Sequence, residues 1–267
     1  MNRRFFITFS LFIIVIFISY HYIFTLREGG IPKIIHKIYF ENSKTIPMNK
    51  ITEFKEAHES WKTFNPDYQI RYWSLKDCEN YLIKHYDERH LKVFQKLKPF
   101  AYKCDFFKFC VIFKEGGWCS DWKQETYISF DSIIGEHDFI CFHDYGIPEL
   151  NYRLHIAISL FGSIKNNPII KLAKDQIIFN VENNIYGLHP LDPTGPYNFG
   201  KALQVFLNDD NNSQGDVNIL FGVYESNFFS INNQIIAKHK TDNQIYNQNW
   251  ENGNNYPEMW YQQNIYN

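Results

Sequence analysis

The stretch from Phe100 to Glu125, FAYKCDFFKFCVIFKEGGWCSDWKQE, sets a few ionisable side chains into strongly apolar surroundings. Its first half predicts a helix with Phe106, Phe107, Cys110, Val111, Ile112 and Phe113 on most of its sides, and so a buried one. Asp105 and Lys108 lie in that helix, where a lysine is poorly placed for solvent. Gly116-Gly117 ends it, because glycine takes the left-handed cap conformation without penalty. The short apolar segment Trp118-Cys119 then runs into Ser120-Asp121. An acid just past a helix, Gly-Gly and strand unit stands at the mouth of an α/β sheet, where ligands bind. Lys123, two residues on, offers positive charge but cannot ligate a metal while protonated. Each residue also has a structural alternative: Asp121 as a loop acid or helix cap, Lys108 as a snorkelling lysine.

The elements that must position these residues emerge from the pattern on either side. Ile31 to Phe40 (IPKIIHKIYF) reads as a buried parallel strand holding His36. Residues 51–62 form an amphipathic helix through Ile51, Phe54, Ala57, His58 and Trp61. Tyr68 to Trp73 is a second strand, and Ser74 with Asp77 is a capping-box signal for a helix from Leu75 to Tyr86. His90 to Lys98 is a short helix. After the central stretch come strands at Asp138–His143 and Leu154–Phe161, a helix after Asn166-Asn167-Pro168, a helix Tyr197–Leu207 after Thr194-Gly195-Pro196, and a last strand at Ile235–His239. Strands alternating with helices argue for an α/β fold with a parallel sheet.

Composition sets outer bounds. A chain of 267 residues suits one domain or a domain with small additions. A net charge of −2 leaves no electrostatic footprint for nucleic acid. The five cysteines have no zinc spacing and read as buried thiols. Met1 to Arg4 is short and basic, and Phe5 to Phe24 is a run of 20 residues without formal charge. Roughly 20 apolar residues span a bilayer core. The expectation is a cytoplasmic tail (1–4), a transmembrane signal-anchor (5–24), a short stem (25–30) and a domain over 31–267, giving a single-pass type II membrane protein. In a eukaryote its address would be the Golgi or another secretory-pathway membrane.

The frame Ala101-x-x-Cys104-Asp105-x-x-Lys108, an apolar helix, then Gly116-Gly117-Trp118-Cys119-Ser120-Asp121-Trp122-Lys123 resembles the DXD-type sugar transferases. These are glycosyltransferase family 32 and its relatives: yeast α-1,6-mannosyltransferases, capsular polysaccharide transferases and the large clostridial toxins. The first strand, the second strand with its Asn65-Pro66-Asp67 turn, and Thr194-Gly195-Pro196 fit the same frame. Four letters depart from it: Cys104 for serine, Lys108 for arginine, Cys119 for tyrosine, and Lys123 for the second aspartate of DXD.

The resemblance implies a GT-A-type nucleotide-sugar-binding fold with a mixed, mostly parallel sheet, here preceded by one transmembrane helix. It implies transfer of a sugar from a UDP- or GDP-sugar to a glycan, glycolipid or glycoprotein acceptor, with retention of anomeric configuration. It assigns nucleotide-sugar binding to His36, Asp105, Lys108 and Asp121, and catalysis to Asp121 and Lys123. A divalent cofactor, Mn2+ or Mg2+, would be held by Asp121 with His239; Glu125 and Asp144 are weaker candidates. Since Lys123 replaces a ligand, the alternative is an inactive or metal-independent relative that binds nucleotide sugars or glycans.

Overall fold

The computed structural model describes residues 30–40, 54–145, 153–209, 217–239 and 254–267. The chain divides into two units, 1–30 and 31–267. In chain order the second unit contains β1 (Ile34–Ile38), α1 (Lys55–Phe64), β2 (Gln69–Trp73), α2 (Leu75–His85), α3 (Glu88–Lys96), α4 (Phe100–Glu115), β3 (Gly117–Ser120) and β4 (Glu125–Thr126). It continues with α5 (Asp131–Ile134), β5 (Phe139–Asp144), β6 (Leu160–Ser163), α6 (Pro168–Glu182), α7 (Pro196–Leu207), β7 (Ile219–Glu225), β8 (Phe228–Ile231), β9 (Gln234–Lys238) and α8 (Tyr256–Tyr261).

All nine of these strands join one sheet in the order β2-β1-β3-β6-β5-β7-β8-β9-β4. The fold is α/β with a mixed sheet, but the expectation of a mostly parallel one is corrected. Three neighbouring pairs are parallel (β1 with β2, β1 with β3, β5 with β7). The other five are antiparallel. The cause is local. Helices cross over between β1, β2 and β3, which makes those strands parallel. β7, β8 and β9 are instead joined by two-residue turns, Ser226-Asn227 and Asn232-Asn233, whose residues all have positive φ. That is the backbone of tight hairpins, which force antiparallel pairing.

The transmembrane expectation is corrected as well. Among the described residues no helix is long and apolar enough to cross a membrane. The longest, α4, has 16 residues, short of the roughly 20 that a span needs. The expected segment 5–24 lies outside the described residues.

The core explains why α4 is central. Phe106, Phe107, Phe109, Cys110, Val111 and Ile112 are fully buried, and they pack with α2, α3, α6 and α7 over one face of the sheet. Burying each phenylalanine contributes about 2–3 kcal/mol relative to leaving it in water. On the other face Ile35, Trp61, Trp118, Phe130, Ile140, Phe142 and Phe229 form a second layer. Neighbours Trp118 and Cys119 belong to different layers, as strand alternation requires. Gly116 caps α4 at φ 66°. Gly117 has φ +94°, and a Cβ there would lie 2.6 Å from the Ile34 carbonyl oxygen. Only glycine lets the chain turn this sharply from helix into a strand pressed against β1. The capping box at Ser74 and Asp77 forms as expected, and all five cysteines are free thiols.

Candidate active site

Asp121 comes directly after β3, and three elements converge on it. From α4, the Lys108 ammonium donates to Asp121 Oδ1 at 2.7 Å and to the Ile158 carbonyl at 3.2 Å. From the end of β9, His239 Nε2 lies 3.2 Å from Asp121 Oδ2. From the segment before β6, the Ser159 carbonyl accepts the Asp121 backbone N–H at 2.9 Å. The Lys108 side chain is 6% exposed and that of Asp121 35%, so the pair is rooted in the core and opens toward solvent on the carboxylate side. Burial alone would raise Asp121, but Lys108 and His239 outweigh it and hold the carboxyl well below the usual range. Burial alone would likewise lower Lys108, but Asp121 and Asp105 reverse the direction and keep it protonated.

The tautomer of His239 is set by its partners. An ionised carboxylate only accepts, so Nε2 carries the proton toward Asp121. In the neutral ring Nδ1 is then an acceptor, and the Tyr224 hydroxyl donates to it across 2.7 Å. Burial raises the Tyr224 phenol, which keeps that donor intact. The result is a Tyr224–His239–Asp121–Lys108 chain running from the hairpin half of the sheet to α4.

This chain borders a cavity of about 290 Å3 lined by Asp105, Asp121, Asp144, Tyr224, His239 and Tyr256 among others. Asp105 accepts a hydrogen bond from the Thr194 hydroxyl at 2.9 Å. Burial pushes its carboxyl up to about 7, against the opposing pull of Lys108 and Thr194. Gly195 and Pro196 of the expected Thr-Gly-Pro segment form part of the same wall. Tyr256 reaches the cavity because the last residues are pinned beside α3 and α4. Lys98 N–H donates to the Ile265 carbonyl at 2.9 Å, and Phe100 N–H to Asn254 Oδ1 at 2.7 Å.

Asp105, Lys108, Asp121 and His239 are thus brought together, whereas His36 and Lys123 are not. His36 is buried with both ring nitrogens occupied. Its Nε2 donates to the Gly116 carbonyl at 3.1 Å and its Nδ1 accepts from the Trp73 indole at 3.1 Å. Burial lowers it to about 4, so it stays neutral and ties β1 to the α4 cap. Lys123 does not line the cavity; its ammonium lies over the Phe54 ring, 4.8 Å from the centroid. Trp118 and Trp122 are core residues. Of the weaker candidates, Asp144 lines the cavity and Glu125 sits on β4 outside it.

Sequence reasoning does not reach Tyr224 or Tyr256 as site residues, and it meets Thr194 only as part of Thr-Gly-Pro. The turn pairs Ser226-Asn227 and Asn232-Asn233 are the available signals for the two hairpins, which present Tyr224 on β7 and His239 after β9. Nothing local marks Tyr256.

DXD-type glycosyltransferases generally use a divalent ion, and the donor set here bears on whether one fits. Asp121 and His239 are two adjacent ligand types. The remaining Asp121 oxygen, however, is taken by the Lys108 ammonium, and Lys123 stands where the second carboxylate belongs. Among the described residues no group of three or more His, Cys, Asp or Glu is placed to hold a metal. The residues present do not fit a paired-carboxylate metal site, and no step is derived through one.

Residues 52–140 match the family model of the glycosyltransferase sugar-binding region containing the DXD motif. Over 87 residues the chain is 28% identical to an uncharacterised glycosyltransferase of Acanthamoeba polyphaga mimivirus, a match covering 33% of each protein. The chain therefore spans about a third of that curated relative. Among solved structures, the PaToxG glycosyltransferase aligns with a TM-score of 0.44 at 21% identity, over 76% of this chain and 80% of that one. The family-model match agrees with the resemblance read from the motif, and the matched residues 52–140 hold Asp105, Lys108, Asp121 and Lys123.

Proposed function

We propose that this chain is a glycosyltransferase that takes a nucleotide-sugar donor into the cavity beside Asp121 and passes the sugar to a glycan, glycolipid or glycoprotein hydroxyl. One observation carries the reading: within and beside the matched region, Asp105, Asp121 and His239 line one cavity, with Lys108 fixed behind Asp121. Sugar transfer breaks the bond between the anomeric carbon and the diphosphate oxygen, and negative charge grows on the leaving group. Groups preorganised to meet that charge lower the barrier more than groups that only bind the donor. Lys108 is a buried cation paired with Asp121, and His239 Nε2 faces the other oxygen of the same carboxylate. Asp121 and Asp105 are the acceptors suited to ribose and donor-sugar hydroxyls. Carboxylates that accept hydroxyl hydrogen bonds orient the donor, and orientation is itself a large part of the rate enhancement. The resemblance further supports retention of anomeric configuration, which NMR of the product anomer would read directly.

A second reading is a nucleotide-sugar- or glycan-binding module without turnover, and Lys123 in place of the second DXD aspartate favours it. A donor screen separates the two. UDP- and GDP-sugars labelled in the sugar are incubated with the full chain and with Asp121→Asn. Release from at least one donor by the wild type, reduced at least tenfold in the variant, supports the enzyme. Donor retention on a filter without release supports the module.

A further inference from the structure

The sequence places a lysine inside the first strand, Ile34-Ile35-His36-Lys37-Ile38, where both neighbours are hydrogen-bonded strands. Lys37 is 0% exposed, an environment that excludes lysine unless its ammonium is fully partnered. The ammonium donates to Ser120 Oγ at 3.0 Å and to the Asp121 carbonyl oxygen at 3.1 Å, and it stands 4.7 Å from the centre of the Trp61 ring. None of these three partners is a carboxylate. The cation is spent on the backbone and hydroxyl of the turn that carries Asp121.

The remaining contacts of that turn belong to the same network. The Ser120 hydroxyl donates to Gln124 Oε1 at 2.9 Å, and the Asp121 N–H reaches the same oxygen at 3.2 Å. The Trp61 indole donates to the Gln124 carbonyl at 2.6 Å. Its N–H is held by Ser159 and Gln124 and its carbonyl by Lys37, and from this fixed backbone Asp121 lines the cavity. The carboxylate must there meet Lys108 from α4 and His239 from the end of β9 at the same time, and hydrogen-bond geometry tolerates only a few tenths of an ångström. We infer that Lys37 is a positioning residue: acting through Ser120 and the Asp121 carbonyl, it sets the Asp121 carboxylate against Lys108 and His239. It does not line the cavity. Burial lowers its pKa to about 7 while Asp121 opposes the shift, so the hold on the turn works against a desolvation cost. The relevance of this device to catalysis rests on the glycosyltransferase reading; the geometric claim does not.

The test tracks the His239 ring by 15N-edited NMR in the full-length wild type, Lys37→Met and Asp121→Asn, with calorimetric titration of UDP and GDP alongside. Methionine keeps the volume and removes the donors. The expected result is a His239 Nε2 resonance in Lys37→Met displaced at least halfway toward its position in Asp121→Asn, with the native near-ultraviolet circular dichroism retained. Affinity for whichever nucleoside diphosphate binds the wild type falls at least fivefold. A folded Lys37→Met with an unmoved His239 resonance overturns the proposal. Should Lys37→Met fail to fold, Ser120→Ala decides: it removes one anchor of the ammonium, and the same resonance must move in the same direction. If the wild type binds neither UDP nor GDP, the glycosyltransferase reading fails, and the His239 resonance alone judges the positioning role.

Discussion

The two ends of the sheet contribute to the site in different ways. The parallel end, β2-β1-β3 with α4 across it, supplies a buried Lys108 and a half-buried Asp121 rooted in the core. The hairpin end, β7-β8-β9, supplies Tyr224 and His239 from half-buried strand ends held by short turns. Charge and geometry are divided between the two ends. The buried end fixes a cation permanently in the core, and the hairpin end brings in a group whose loss leaves the core intact. Changes at the parallel end should cost both folding and activity, and changes at the hairpin end activity alone.

The largest effect is expected from Lys108→Met. It leaves Asp121 without its cation and costs up to about 3 kcal/mol, the partial exposure of Asp121 limiting the loss. At roughly 2–4 °C per kcal/mol for a domain of this size, thermal unfolding should shift down by several degrees, and donor turnover should fall at least a hundredfold. An unchanged melting midpoint would break the comparison.

His239→Ala comes next. Turnover should fall about tenfold to a hundredfold, less than the roughly 10²–10³ of a donor that meets the developing charge itself, because His239 is aimed at Asp121, while the melting midpoint moves by no more than about 2 °C. A large loss of stability would show the hairpin end to be as structural as the parallel end.

Asp105→Asn sharpens the electrostatic side. A carboxyl raised to about 7 in the folded chain binds more protons folded than unfolded between pH ~4 and pH ~7. Linkage then makes its contribution to stability decline as pH rises through that window. Asparagine still accepts from Thr194 but has no proton to lose. Urea unfolding at pH 5 and pH 7.5 should therefore show a smaller decline for the variant than for the wild type. Asp121 has the opposite sign: its depressed carboxyl contributes stability above pH ~4 that is lost as pH falls further.

The smallest effect is expected from Lys123→Ala. Its ammonium lies over Phe54 rather than in the cavity, so turnover should stay within about threefold of the wild type. A loss comparable to Lys108→Met would return Lys123 to the catalytic role that its place in the motif suggests.

The same division decides what the sequence can disclose. α4, its glycine cap and β3 are legible because one apolar run, two glycines and an acid encode them within a short span. The capping box at Ser74 and the proline-led helices α6 and α7 are legible for the same local reason. The hairpins are not, because their only signals are two-residue turns of Ser-Asn and Asn-Asn in an asparagine-rich chain, where such pairs carry little contrast. With them go the sheet's antiparallel majority and the role of Tyr224. His36 fits a motif but is consumed by two core hydrogen bonds, which no local pattern reveals. Lys37 is visible as a charge inside a buried strand, and its hydrogen-bond partners come from residues more than 80 positions away.

The most direct test is calorimetric titration of the full-length chain and Asp121→Asn with UDP- and GDP-sugars, in manganese and in chelator, with sugar release measured in the same samples. The expected result is binding and release of at least one donor by the wild type, retained within several-fold in chelator and lost in Asp121→Asn. Binding of no donor by a folded wild type would contradict the nucleotide-sugar site. Binding and release that vanish in chelator would contradict the reading that the residues present do not form a metal site.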